Sequence, residues 1–205
     1  MNKISLTALI LLLNLATGYP QDANYFFRQA NQYLAGHQYE EAIKFFDQGL
    51  ALDKYNGPAY GGRGLAKAGL GDLKGAIGDY NFVLELNPRD NRAYFFRGLA
   101  FMELKEIQAA LYDFDMTLRS NPRHPQAYYQ RALLHFQMAN YPNALYDLDQ
   151  HLRLHPQDGK AFNNRGVVKD QMGDYAGAIE DYSRAIGLNT SDANAYYNRA
   201  SPGST

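Results

Sequence analysis

Cysteine and tryptophan are both absent from this chain of 205 residues. Without cysteine there is no disulfide, no thiolate zinc site, no iron–sulfur cluster and no cysteine nucleophile; the redox compartment stays open, since such a chain folds on either side of a membrane. An excess of charge of one sign is missing too. Lys+Arg number 20 against 21 Asp+Glu, a formal net charge of −1, so there is no basic footprint for a nucleic-acid backbone and no acidic tail. Long apolar runs are scarce: the one from Ile4 to Ala16, broken by Ser5, Thr7 and Asn14, is shorter than the about 20 residues that a spanning helix needs. Apolar side chains are nonetheless plentiful. Hydrophobic residues make up 46% and aromatics 14%, with 17 Tyr, which supports a packed core and excludes wholesale disorder.

The N-terminal layout points outward. Met1-Asn2-Lys3 supplies one positive charge, the apolar run follows, and Ala16-Thr17-Gly18 places small residues at its end. This is the pattern of a secretory signal peptide over residues 1–18, cleaved before Tyr19 and followed by a short lead-in at 19–22. It predicts a secreted or periplasmic protein with no stable membrane insertion after cleavage; the alternative is an anchor formed by the uncleaved segment.

From Ala23 onward the chain repeats every thirty-four residues without insertion or deletion. One column reads Phe26, Tyr60, Tyr94, Tyr128, Phe162, Tyr196, and a second, four residues later, Ala30, Gly64, Gly98, Ala132, Gly166, Ala200. Others are Ala42, Ala76, Ala110, Ala144, Ala178 and Phe46, Tyr80, Phe114, Leu148, Tyr182. The units are 23–56, 57–90, 91–124, 125–158 and 159–192, with a partial sixth at 193–200 and a non-repeat tail at 201–205. An aromatic and a small residue four apart share one helix face, and the small residue lets a second helix approach. Gly71-Asp72 and Gly173-Asp174 mark turns, while Asn87-Pro88 and Asn121-Pro122 end second helices. Each unit therefore holds two antiparallel helices, and because one such hairpin cannot bury its apolar face alone, the hairpins must stack.

These columns resemble the tetratricopeptide repeat family over residues 23–200. The resemblance implies an all-α fold, a right-handed α-solenoid of stacked helix-turn-helix hairpins whose first helices line a concave groove. Repeat one departs most, with Gln29, Gly49 and Lys54 at weaker columns, and repeat four carries His151 where a small core residue is usual.

Two charged columns accompany the repeat: Arg63, Arg97, Arg131, Arg165, Arg199 and Asp79, Asp113, Asp147, Asp181. Repeat one has Gln29 and Phe45 there, so both charges vanish together, which suggests mutual partners. The expectation is a structural ladder of partly buried Arg–carboxylate pairs that fixes stacking; spacing leaves pairing within a repeat and between repeats equally open.

The concave groove implied by the resemblance would be lined by Phe27, Asn31 and Leu34, by Gly61, Gly62 and Leu65, and by Phe95, Phe96, Leu99 and Met102. Repeats four and five would add Tyr129, Gln130, Leu133, Phe136, Asn163, Asn164, Val167 and Asp170. Of the paired aromatics, Phe95 and Tyr129 are the stronger candidates for the groove, and Phe96 the one more given to packing on a neighbouring repeat. Apolar anchors would fill pockets while the amides satisfy a peptide backbone. The carboxylate clamp of chaperone-binding members is not matched: Phe27 and Gly62 occupy two of its columns and only Asn31 is retained.

Catalytic signals are weak. His151 and His155 lie four apart, the spacing that can present two imidazoles on one helix face with Asp147 as a third ligand, but no HExxH pattern accompanies them. The glycines from Gly57 to Gly78 lack a GK[ST] sequence, and no serine has a nucleophile-elbow context. No cofactor and no metal are expected. The reading is a non-catalytic scaffold for protein–protein interaction whose partner supplies apolar anchors. The alternative is the repeat portion of a larger, truncated enzyme or envelope-assembly protein. The partial sixth helix would cover only part of the surface of Ile179, Tyr182 and Ile186, which predicts self-association through that end.

Overall fold

A computed structural model describes residues 22–189, 193–200 and 202–203; the signal-peptide segment 1–18 lies outside the described residues. Among these there are eleven helices and no strand. They are α1 (Ala23–Ala35), α2 (Tyr39–Leu52), α3 (Gly57–Gly69), α4 (Leu73–Leu86), α5 (Asn91–Glu103), α6 (Ile107–Ser120), α7 (Pro125–Gln137), α8 (Tyr141–Leu154), α9 (Gly159–Gln171), α10 (Tyr175–Leu188) and α11 (Ala193–Ala200). The chain divides between Glu106 and Ile107 into two compact bodies. In the first, α1 pairs with α2 and α3 with α4, α2 packs on α3 and α4 on α5, and the first helices α1, α3 and α5 touch in succession. In the second, α7 pairs with α8 and α9 with α10, with α6 on α7, α8 on α9, and α11 against α10 and α9.

The packing follows from the small columns. Ala42, Ala76, Ala110, Ala144 and Ala178 are all completely buried. In repeats two and five a glycine faces the large ring of the second helix: a Cβ on Gly64 would stand 2.7 Å from Tyr80, and one on Gly166 2.6 Å from Tyr182. No real side chain makes such contacts, so these glycines are set by helix–helix distance. At the last repeat, Ala195 of α11 is buried against Ala185 and Ile186. Tyr182 and Ile186 are buried, whereas Ile179 remains 40% exposed.

The first helices α1, α3, α5, α7 and α9 are each entered through a capping residue at the same repeat position. The side chains of Asp22, Asn56, Asp90 and Asp158 accept backbone N–H groups of the first turn, and His124 does the same through Nδ1, which accepts from Ala127 N at 3.1 Å. That bond needs a neutral imidazole. The turn between the two helices of each hairpin carries one left-handed residue, at His37, Gly71, Lys105, Ala139 and Gly173, with φ between 55° and 81°. Only the two glycines take this conformation without Cβ strain.

Ala139→Gly should therefore raise stability by about 1 kcal/mol, read as an upward shift of the urea midpoint; an unchanged or lower midpoint would show the turn unstrained. A second expectation concerns pH. Burial pushes the His124 imidazole below its usual range, so the unfolded state binds the proton more readily and stability falls as pH drops below about 6.5. His124→Asp, the residue that caps the first helices of repeats one, three and five, should flatten the fall in melting temperature between pH 7 and 5. An equal fall in both proteins would assign it elsewhere.

Candidate functional site

The arginine column forms a three-way bridge. Arg63 donates from Nε and Nη2 to Asp79 at 3.0 and 2.7 Å, and from Nη1 to Asp47 at 2.5 Å. Arg131 holds Asp147 at 2.8 and 2.6 Å and Asp115 at 2.5 Å; Arg165 holds Asp181 at 2.8 and 2.6 Å and Asp149 at 2.7 Å. The fork–fork pair lies within one repeat and the third bond reaches the preceding one, so both pairings occur at once. Arg97 extends the pattern with a 2.6 Å bond from Nη1 to Asn81. Each guanidinium also lies over the aromatic ring three residues before it: Arg63 over Tyr60, Arg97 over Tyr94, Arg131 over Tyr128, Arg165 over Phe162 and Arg199 over Tyr196, at 5.0 to 5.8 Å.

Asp79, Asp113, Asp147 and Asp181 are almost fully buried, whereas Asp47, Asp115 and Asp149 are half-exposed. Burial works against the charge of Arg131, and the hydrogen bonds of Asp147 and Asp115 overcome it; burial likewise holds the Asp147 carboxyl above its usual range. The outer column Asp47, Asn81, Asp115, Asp149, Ser183 is the part that sequence reasoning missed, although it repeats with the same period. The ladder's arrangement is that of a packing device.

The groove candidates divide. In the first body a cleft of about 600 Å³ opens beside the first helices, with Phe27, Asn31 and Leu34 of α1, Gly61 and Leu65 of α3, and Phe96 of α5 among its walls. The cleft exists because α3 carries glycine where its neighbours carry rings: a Cβ on Gly61 would meet nothing within 4 Å. Tyr80 lines it as well; its side chain is 1% exposed and stacks on Phe96 at 6.3 Å, and its buried hydroxyl has no hydrogen-bond partner. Burial pushes that phenol well above its usual range, so it stays protonated.

Phe95 requires a correction. It is buried, at 9% exposure, while Phe96 lines the cleft. In the same column, Phe27 packs against Gly49 of the second helix of its hairpin and Tyr129 lies beside His151. Leu99 and Met102 are half-buried on α5 and stand outside this cleft.

In the second body Tyr129, Gln130, Leu133 and Phe136 of α7 and Asn163, Asn164 and Val167 of α9 are all half-buried. The amides expected for a peptide backbone already hold neighbouring repeats. Asn164 Nδ2 donates to the Tyr129 hydroxyl at 2.9 Å, and Asn198 Nδ2 donates to Asn163 Oδ1 at 3.2 Å. Phe136 packs on Tyr141 with ring centroids 5.7 Å apart.

His151 also differs from the metal alternative. It is 3% exposed, with Nδ1 2.9 Å from the Pro125 carbonyl and Nε2 2.8 Å from Asp158 Oδ2. Both ring nitrogens are thus engaged, and the ring ties the starts of α7 and α9 together in place of the usual small residue. Among the described residues no cluster of three His, Asp or Glu is arranged to hold a metal, and no helix is long and apolar enough to cross a membrane.

The two carboxylate columns should differ sharply in energetic weight. Asp181→Asn strands Arg165 in partly buried surroundings and should cost about 3 kcal/mol, whereas Asp149→Asn removes an exposed partner and should cost less than about 1 kcal/mol. Equal losses by urea denaturation would remove the distinction between inner and outer columns.

Comparison with known proteins agrees with this architecture. A family model described as "Tetratricopeptide repeat" matches residues 62–125 and 113–159, and one described as "TPR repeat" matches 169–201. No curated protein sequence matches. Among solved structures, YrrB, described as "a TPR protein with an unusual peptide-binding site", aligns with a TM-score of 0.76 at 20% identity, covering 94% of this chain and 98% of that one. MamA from Desulfovibrio magneticus RS-1 aligns at 0.77 and 21% identity, covering 84% and 98%. A tetratricopeptide repeat protein from Parabacteroides merdae aligns at 0.77 and 22% identity, covering 88% and 72%. At these identities the likeness concerns the fold. With the repeat columns, the stacked hairpins and the family models in agreement, the chain belongs to the tetratricopeptide repeat family.

Proposed function

We propose that this protein is a non-catalytic interaction scaffold that binds a protein segment along its first helices, and that the cleft of the first body takes the segment's apolar anchor. The observation that carries this reading is the cleft itself. Three successive first helices contribute to it, its walls combine Phe27, Leu34, Leu65 and Phe96 with the amide of Asn31, and its volume is that of a pocket for one or two large side chains. Apolar pockets ringed by hydrogen-bonding groups are the usual anchor sites of peptide recognition. The peptide-binding site in YrrB's description supports the same direction. The signal-peptide pattern at residues 1–18 supports a secreted or periplasmic setting. Ile179, Tyr196 and Tyr197, exposed around α11, support self-association at that end as a further part of the proposal.

Gly61→Leu separates binding from folding. A Cβ at this position meets nothing within 4 Å, so a leucine there should occupy the cleft, and replacing a mid-helix glycine favours the helix by about 1 kcal/mol. The expected result is a more stable protein that loses affinity for peptides selected against the wild type from a displayed library. Retained affinity in a stabilised Gly61→Leu variant would place the binding surface elsewhere.

A further inference from the structure

The ladder contains an internal comparison that singles out repeat four. In repeat two the carboxylates of Asp47 and Asp79 meet two cations, Arg63 and Lys67, with the lysine ammonium 2.9 Å from Asp79. In repeat five Asp149 and Asp181 meet Arg165 and Lys169, whose ammonium lies 2.8 Å from Asp181. Repeat three drops one charge of each sign, with Asn81 in the outer carboxylate column and Phe101 in the lysine column. The sets of repeats two and five are charge-balanced, and the columns of repeat three balance in the sequence. Repeat four keeps both carboxylates, Asp115 and Asp147, and keeps Arg131, but places His135 in the lysine column. His135 Nε2 stands 3.9 Å from Asp147 Oδ2, against 2.9 and 2.8 Å for the lysines, and its Nδ1 is buried without a partner. Burial outweighs the pull of Asp147 and holds this imidazole below its usual range, so it is neutral at pH 7. The set carries one uncompensated negative charge.

Space accompanies the missing cation. A cleft of about 530 Å³ opens at this set, bordered by Tyr112 and Asp115 of α6, Arg131 and His135 of α7, and Tyr146 and Asp147 of α8. Tyr112 and Tyr146 are exposed at 57% and 55%, and the Asp115 side chain is 49% exposed. Phenol rings attract an ammonium through their faces while an apolar stem packs along them.

We propose that this cleft is a docking site for a lysine side chain of a partner protein, whose ammonium supplies in trans the charge that Lys67 and Lys169 supply in their own repeats. The ammonium is drawn to Asp115 at the mouth and toward Asp147 within, and the methylene stem lies between the tyrosines. The site belongs to the second body and stands independently of the peptide cleft in the first.

The test is a titration of the ¹⁵N-labelled protein at pH 7.5 with the tripeptide acetyl-Gly-Lys-Gly-amide, followed by amide and His135 ring shifts, with the Nε-acetyl-lysine tripeptide as control. Saturable shifts confined to α6, α7 and α8, weakened at least tenfold on acetylation, are expected. His135→Lys restores the cation found in repeats two and five, so it should keep the fold and melting temperature while weakening the tripeptide at least tenfold. Asp115→Asn, at a half-exposed position, should weaken it as well. Equal shifts from the acetylated peptide, shifts centred on other acidic surface, or undiminished binding to His135→Lys would each overturn the proposal.

Discussion

A buried aspartate in the second helix of a hairpin stays ionised only beside a cation, and four repeats of this chain place one there. In the bridges seen within each body, one guanidinium answers the requirement with two edges. It grips the buried carboxylate of its own hairpin through a parallel fork and reaches back to the preceding hairpin with its remaining nitrogen. The fork demands planarity and fixed distances, so the interaction sets how successive hairpins register. The aromatic three residues earlier supplies the face on which the guanidinium lies, which explains why that column stays aromatic in every repeat. In repeat one the ladder gives way to apolar contact, with Phe45 stacked on Tyr33 at 5.2 Å.

Once packing is regular, exceptions become informative, because every repeat is a control for the others. Glycines at Gly64 and Gly166 answer a ring that presses on the helix. Gly61 answers nothing, and the absence of a side chain there opens a cleft. His151 replaces a small residue and earns its place by joining the Pro125 carbonyl to the capping Asp158. His135 replaces a lysine and leaves a charge unbalanced. The same side chain thus closes a structure at one position and leaves a vacancy of charge at another, decided by what faces its two nitrogens.

Both candidate surfaces arise from departures of this kind, one apolar and one electrostatic. The first depends on missing volume: helix α3 lacks the rings that fill the same column at Phe27 and Tyr129, and the Tyr80 phenol is left buried without a partner. The second depends on missing charge, flanked by exposed phenol rings. Neither needs a mobile element, since the regular helices on either side already hold the walls.

Much of this was legible in the sequence. A period of thirty-four residues with fixed small and aromatic columns determines helical hairpins that stack, because no other arrangement buries those faces at that spacing. The joint loss of Arg and Asp in repeat one identified them as partners. Which carboxylate each arginine holds was decided by tertiary structure: spacing gives the distance along the chain, whereas the fork and the third bond depend on the rotation of one helix against two neighbours. The same rotation decided that Phe95 turns inward while Phe96 faces the cleft, a difference of one residue, or about 100° around a helix. Sequence columns identify equivalent positions; only the packed helices say which of them face protein, water or open space.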